Sequence, residues 1–267
     1  MKPFSEHHGR SATKLCFIGD SGSGKTGALA ALVNAGHKLA IWDFDNGLDI
    51  LWEFSDPELL KANVQFETYI DKVKIQGTRT VHVKVDSAEL STKSLNEFIN
   101  GEPTDRIMVI DSGTHWGESL LRFAMKMNPG ATRWESFGPA MEMQEGLLNA
   151  FHGVPWLNLI ICWHKSPQDI DPDSGLSQFY PSALGKKLPP KVGTYFNNVI
   201  AIESKGSGEN ATRSIRTVSG KQLELKTSAP RSIPAEIPLA VDKNGLAQRG
   251  LAEFFRIAQT QKGSTQS

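Results

Sequence analysis

Sulfur is scarce in this chain, with two cysteines, Cys16 and Cys162, in 267 residues. Each lies inside an apolar run, KLCFIG or LIICW, and reads as a buried reduced thiol. A disulfide framework or a zinc site needs more sulfur or clustered ligands. Net charge is missing too, because 29 Lys and Arg balance 29 Asp and Glu. No global field draws in nucleic acid, so any such contact must come from a local patch. No run approaches the roughly 18 apolar residues of a membrane-crossing helix. The N-terminal MKPFSEHHGR lacks the apolar stretch of a signal peptide, and His7-His8 reads as part of a solvated tail. These absences give the expectation of a cytoplasmic protein with no membrane partner. Internal repeats are absent as well.

What is present suits a globular chain: 39% hydrophobic residues, 22% charged, and length enough for one large domain with a small extension. Apolar strands are expected at 14–18, 38–43, 106–111 and 157–163, with further strands at 64–69 and 81–85. Between them, 25–35, 47–62, 87–100 (capped by Ser87) and 134–152 read as helices. Strands apolar throughout, alternating with helices, imply an α/β fold: a mostly parallel sheet with helices on both faces. Ligands gather at the carboxyl ends of such strands. After about residue 198 the pattern changes to alternation at 199–203, 212–218 and 222–227, a β-hairpin extension, followed by a short helix at 246–258. The expected organisation is a tail at 1–12, a core at 13–203, a β-rich extension at 204–258 and a disordered tail at 259–267.

The segment GDSGSGKT at 19–26 fits G-x-x-x-x-G-K-[ST] in full, between an expected strand and an expected helix. Gly19, Gly22 and Gly24 let backbone N–H groups curl around a phosphate without Cβ clashes, with Asp20, Ser21, Ser23 and Gly27 completing the cradle. Lys25 reaches the β- and γ-phosphates, and the Thr26 hydroxyl suits Mg²⁺. The expected ligand is a nucleoside triphosphate, taken as ATP with Mg²⁺. An ordinary glycine turn before a helix is the bland alternative.

Three further strand ends carry polar residues. Strand 106–111 closes on Asp111, in position to hold Mg²⁺. Strand 38–43 leads into Asp43-Phe44-Asp45-Asn46, where a carboxylate can orient the attacking water; Asp45 is the first choice and Asp43 the second. An Asx-rich turn at Asn46-Gly47 is the competing reading. Strand 157–163 ends at His164, either a γ-phosphate contact or a histidine bonded at a strand terminus.

In this order the pieces resemble RecA-like P-loop ATPases, from about residue 13 to 203. Closer still, the chain is similar to phage-encoded RecA-like core ATPases, including single-strand annealing recombinases often named AAA-family ATP-binding proteins. The resemblance rests on the P-loop, DFDNG at 43–47, VIDS at 109–112, His164, PSALGKK at 181–187 and YFNNVIAIE at 195–203. It implies a RecA-like ATPase core in which Asp45 stands where the family usually has glutamate and His164 where it usually has glutamine. It also implies a ring or filament of like subunits in which a neighbour supplies a basic finger, with Lys226 and Arg231 as candidates. In a phage-encoded protein the compartment would be the host cytoplasm. Residues 165–198 would correspond to a DNA-binding loop, offering Lys186, Lys187 and Lys191 with Phe179 and Tyr180 for single-stranded DNA. Asp169, Asp171 and Asp173 would oppose phosphate there. A first DNA loop around 117–136 carries Arg122, Lys126, Arg133 and Trp134. Residues 204–231 hold six basic and two acidic residues, a local positive excess.

The implied activity is ATP hydrolysis controlling a single-stranded DNA-binding oligomer in recombination or replication. Two other classes use the same loop. A kinase of small molecules or nucleotides usually closes an arginine-bearing lid, for which only Arg122 and Arg133 are available. A nucleotide-gated interaction module would bind without turnover.

Overall fold

Apolar strands buried on both faces fix the architecture. The computed structural model describes residues 12–76, 79–171, 176–206 and 211–263. Strands β1 (Lys14–Gly19), β2 (Leu39–Asp43) and β6 (Ile107–Asp111) are buried at every position. With β3 (Val64–Thr68), β7 (Leu159–Asp171) and β9 (Asn198–Lys205) they form the parallel centre of one sheet, in the order β9-β1-β7-β6-β2-β3. Strands β10 (Thr212–Arg216) and β11 (Glu236–Pro238) extend that sheet antiparallel beyond β9. Strands β4 (Lys72–Gln76) and β5 (Arg79–Lys84) form a separate two-stranded ribbon.

The two-residue period of each strand divides the buried side chains between two cores. On one face Cys16, Ile18, Met108, Ile110, Ile161 and Trp163 meet Trp116, Leu120 and Leu148. Those partners come from helices α6 (Gly113–Met127) and α7 (Arg133–Gly153), beside α5 (Ser87–Asn100). On the other face Leu15, Phe17, Val109, Cys162 and Ile200 meet Leu29, Leu32, Phe254 and Phe255. These belong to the helical run after the P-loop and to α9 (Leu251–Gly263). Cys16 and Cys162 therefore point into opposite layers, both as free thiols. The mostly parallel α/β sheet covered on both faces is the architecture expected from the strand pattern.

Several local expectations are corrected. The helix at 25–35 forms as α1 (Lys25–Ala28) and α2 (Ala30–Asn34), with Leu29 between them keeping helical dihedrals. Segment 47–62 divides into α3 (Ile50–Phe54) and α4 (Pro57–Asn63). Asp56 caps α4, accepting from the amides of Glu58 (2.9 Å) and Leu59 (3.0 Å), with Pro57 at the first helical position. Asp86, not Ser87, occupies the cap position of α5. The strand expected to stop before His164 continues to Asp171 and pairs with β8 (Leu176–Pro181), so half of the expected 165–198 loop is a hairpin. Segment 222–227 makes isolated bridges, Phe179 with Leu223 and Val199 with Lys226, where a strand was expected. Strand β9 crosses the boundary expected at 203/204, and α9 begins later than 246 and runs on through 259–263. Residues 1–11 of the tail expected at 1–12, residues 264–267 and Asp173 lie outside the described residues. Among the described residues no helix is long and apolar enough to cross a membrane.

Candidate nucleotide-binding site

β1 delivers the chain to the sheet's upper edge at Gly19, and α1 leaves it from Lys25. Between them Gly22 (φ 71°) and Gly24 (φ 98°) take the left-handed conformation that side chains disfavour. At Gly19 a Cβ would sit 2.4 Å from Ile202 Cγ2 and 2.5 Å from Ser23 Oγ, so only glycine fits. Ser23 Oγ is buried with no hydrogen-bond partner among the described residues, a polar atom left for a ligand. The amides opening α1 likewise lack intrahelical acceptors. Lys25 is 6% exposed, and its Nζ donates to the loop's own carbonyls, Gly19 O at 3.2 Å and Asp20 O at 2.8 Å. Burial lowers its pKa against the opposing pull of Asp111, Asp45 and Asp20. That ammonium is a cation held over a concave cradle of donors.

The carboxylates gather beside it. Thr26 Oγ1 donates to Asp111 Oδ2 at 2.7 Å, uniting the end of β6 with the start of α1. Burial, reinforced by Asp45 and Asp43, pushes the Asp111 carboxyl up to about 6, against the Thr26 hydrogen bond. Asp43 and Asp45 take different parts. Asp43 Oδ1 accepts from the amides of Asp45 (3.1 Å) and Asn46 (2.8 Å), while Oδ2 accepts from Thr68 Oγ1 (3.2 Å). Asp43 thus closes the Asx turn, with Asn46 at φ 55°. Asp45 reaches across to β6, accepting from Ser112 Oγ at 2.8 Å and Ser112 N at 3.2 Å. Its Oδ1 is also bonded to His115 Nδ1. Burial pushes Asp45 upward, yet the bonds from His115 and Ser112 outweigh it and hold the carboxyl below its ordinary range.

Because β7 lies between β1 and β6, it places His164 between Gly19 and Asp111. His164 Nε2 is 3.9 Å from Asp45 Oδ2, and its backbone N–H donates to Thr114 Oγ1 at 3.1 Å. Burial and the nearby Lys25 lower its pKa. The His115 ring stands edge-on to His164, centroids 5.6 Å apart, and its bond to Asp45 raises its own pKa. Sequence reasoning missed His115. The available signal was its place three residues after the acid-serine pair, on the first turn of a helix that Ser112 caps. Lys165 was missed too; its Nζ pairs with Asp20 Oδ2 at 2.8 Å and lies 5.1 Å from the Phe179 ring centroid.

The structure thus brings together Lys25, Thr26, Asp45, Asp111 and His164. The residues present fit a magnesium–triphosphate: an unsatisfied hydroxyl, a cradle with no room for a Cβ, a buried ammonium and a hydroxyl–carboxylate pair. Among the described residues no group of three or more His, Cys, Asp or Glu is arranged to hold a metal. A cation here would be shared between Thr26, Asp111 and the nucleotide.

The remaining candidates lie elsewhere. The Lys226 backbone bridges Val199, while Lys226 and Arg231 side chains are exposed and make no hydrogen bond or ion pair among the described residues. Lys186 and Lys187 are exposed after Gly185, and Lys191 pairs with Glu145 at 3.4 Å. In the first expected DNA loop the cations are committed: Arg122 Nε to Asp71 (2.5 Å), Arg133 to Glu118 (3.4 Å), Lys126 to the Val85 carbonyl (2.9 Å). Trp134, 83% exposed, packs on Phe137 with centroids 5.6 Å apart.

No protein-family model matches the chain, and no curated protein does. Among solved structures it is similar to a KaiC-like protein of the archaeon Pyrococcus horikoshii OT3, 14% identical over 88% of both chains, with a TM-score of 0.41. It is also similar to the RadB recombinase, 11% identical over 89% of this chain and 90% of that one, with a TM-score of 0.48. Likenesses this remote carry no argument here, and the mostly parallel α/β sheet covered on both faces rests on the strand order and burial described above.

Proposed function

We propose that the chain binds ATP–Mg²⁺ in loop 19–26 and hydrolyses it, as the motor core of a homo-oligomer acting on single-stranded DNA in phage recombination or replication. The observation that carries the chemistry is the convergence of Lys25, Thr26, Asp111 and Asp45 from the ends of β1, β6 and β2, and of His164 from within β7, onto one edge. The loop amides from Asp20 to Gly27 wrap the phosphates, and Lys25 turns from its own carbonyls to the β- and γ-oxygens. Mg²⁺, when bound, neutralises charge on the phosphate oxygens. Thr26 and Asp111 would hold it. Asp45 accepts a hydrogen bond from the attacking water and takes its proton. His164, whose pKa is lowered, presents a neutral imidazole to the γ-phosphate side and passes its state to the β7–β8 hairpin. The core would run from 13 to 203, with 204–258 as the extension that shows Lys226 and Arg231 to a neighbouring subunit. A finger of that kind is worth about 10³–10⁵ in rate. A kinase lid is not favoured, since Arg122 and Arg133 are both held by acids of the chain.

The test is phosphate release with and without single-stranded DNA. A rise on adding DNA is expected, shrinking steeply as salt is raised, because released counterions drive the contact. A rate indifferent to DNA at low salt contradicts the DNA part of the reading while leaving the ATPase part intact.

His115 gives a second expectation. Its bond helps hold Asp45 below the ordinary carboxylate range, so removing it raises the pKa of the base. His115→Phe is expected to move the acidic limb of the kcat–pH profile upward. Activity then survives at high pH and fails sooner as pH falls. An unmoved limb would show that Asp45 does not set it.

A further inference from the structure

Arg213 lies on strand β10, which is paired to β9 with Arg213 opposite Ser204, and its carbonyl accepts from Leu239 N at 2.9 Å. A Cβ placed on Gly24 would sit 3.1 Å from Arg213 Cδ and 3.3 Å from its Nε, so this side chain rests on the phosphate loop itself. Among the described residues Arg122, Arg133, Arg216 and Arg249 each pair with a carboxylate, and Arg106 donates to two carbonyls. Arg213 has neither kind of partner there, although it is exposed on a strand fixed on both sides. With no acid pairing it among the described residues, an arginine placed against an anion cradle is available to a ligand.

The sheet order says which part of the ligand. Asp111 and Asp45 reach the loop from β6 and β2, on the β7 side of β1. The metal and the attacked γ-phosphate belong to that side. A nucleotide threaded through the loop therefore leaves it, nucleoside last, toward the opposite side, where β9 and β10 lie. That is the side on which Arg213 stands. The phosphates already have Lys25, the amides and the cation, whereas the base needs a flat surface. A guanidinium plane stacks on aromatic faces and does so without regard to base identity.

We propose that Arg213 is a nucleobase-binding residue of its own subunit, its guanidinium stacked on the base of the nucleotide held by loop 19–26. This rests on the loop holding a nucleotide, and the experiment separates the two claims. Equilibrium titrations of wild type, Arg213→Ala and Arg213→Lys use Mg–ADP, with magnesium tripolyphosphate as a competitor that has phosphates but no base. The expected result is ADP affinity about tenfold weaker in Arg213→Ala. Arg213→Lys should recover little of it, since an ammonium has no plane, and tripolyphosphate affinity should match wild type in both variants. Arg213→Ala binding ADP as wild type does would overturn the proposal. So would a parallel loss for tripolyphosphate restored by lysine, which would make Arg213 a phosphate contact. Wild type binding neither ligand sinks the nucleotide reading and Arg213's role with it. Unfolding temperatures measured without ligand check that the variants are folded.

Discussion

Lys25→Ala is expected to lose Mg–ATP affinity and turnover together, by about a hundredfold or more, while keeping its fold. The size follows from where the ammonium sits. It is buried, and among the described residues its bonds go to Gly19 O and Asp20 O, both acceptors of the loop itself. Alanine leaves those carbonyls facing a triphosphate with no side-chain cation between them. Asp45 and Asp111, both within reach of Lys25's charge, then repel the ligand more strongly, while Asp20 keeps its pairing with Lys165. Stability should suffer little. Burial lowers the pKa of this lysine, so holding its charge inside costs the fold something that alanine removes. Isothermal titration with Mg–ATP, beside a circular-dichroism melt, checks both statements. Undiminished affinity would remove Lys25 from the phosphate site.

Asp45→Asn should separate binding from chemistry. Asparagine keeps the shape and an acceptor oxygen for Ser112 Oγ and Ser112 N, but cannot take a proton. Nucleotide affinity is expected to stay within a few fold, and kcat to fall by about 10²–10⁴, the usual range for a lost general base. Asp43→Asn is the informative companion. Asp43 is bound to two turn amides and Thr68; asparagine keeps an oxygen for the turn amides and loses only the acceptor facing Thr68, so the change should cost far less activity. Steady-state phosphate release against ATP concentration yields both parameters for each variant. Equal losses in the two would move the base away from Asp45.

The shape of the loop was legible because its motif lies in eight consecutive residues, 19–26, whose glycines set the backbone. The positions of the buried strands were legible for a similar reason: LAIWD, IMVID and LIICW are apolar in nearly continuous runs, as strands of a covered parallel sheet are. Contacts made between distant segments were not legible. His115 meets Asp45 across 70 residues, and nothing near either one announces the other. Arg122 reads as a free cation in sequence, yet Asp71 claims it. The continuation of β7 through Lys165–Asp171 was hidden because KSPQDID has the composition of a loop. That segment's pairing to β8 is made by backbone groups, which carry no side-chain signal. Asp43 and Asp45 sit two residues apart, and the Asx turn closed by Asp43 sends Asp45 across to Ser112.

All of the chemistry depends on a triphosphate entering the loop and losing its terminal phosphate to water. The most direct measurement is inorganic phosphate released by the purified wild-type chain as ATP is titrated, with Mg²⁺ present and then chelated. Release that saturates with ATP and stops on chelation is the predicted result. No release at any ATP concentration, with or without single-stranded DNA, would contradict it.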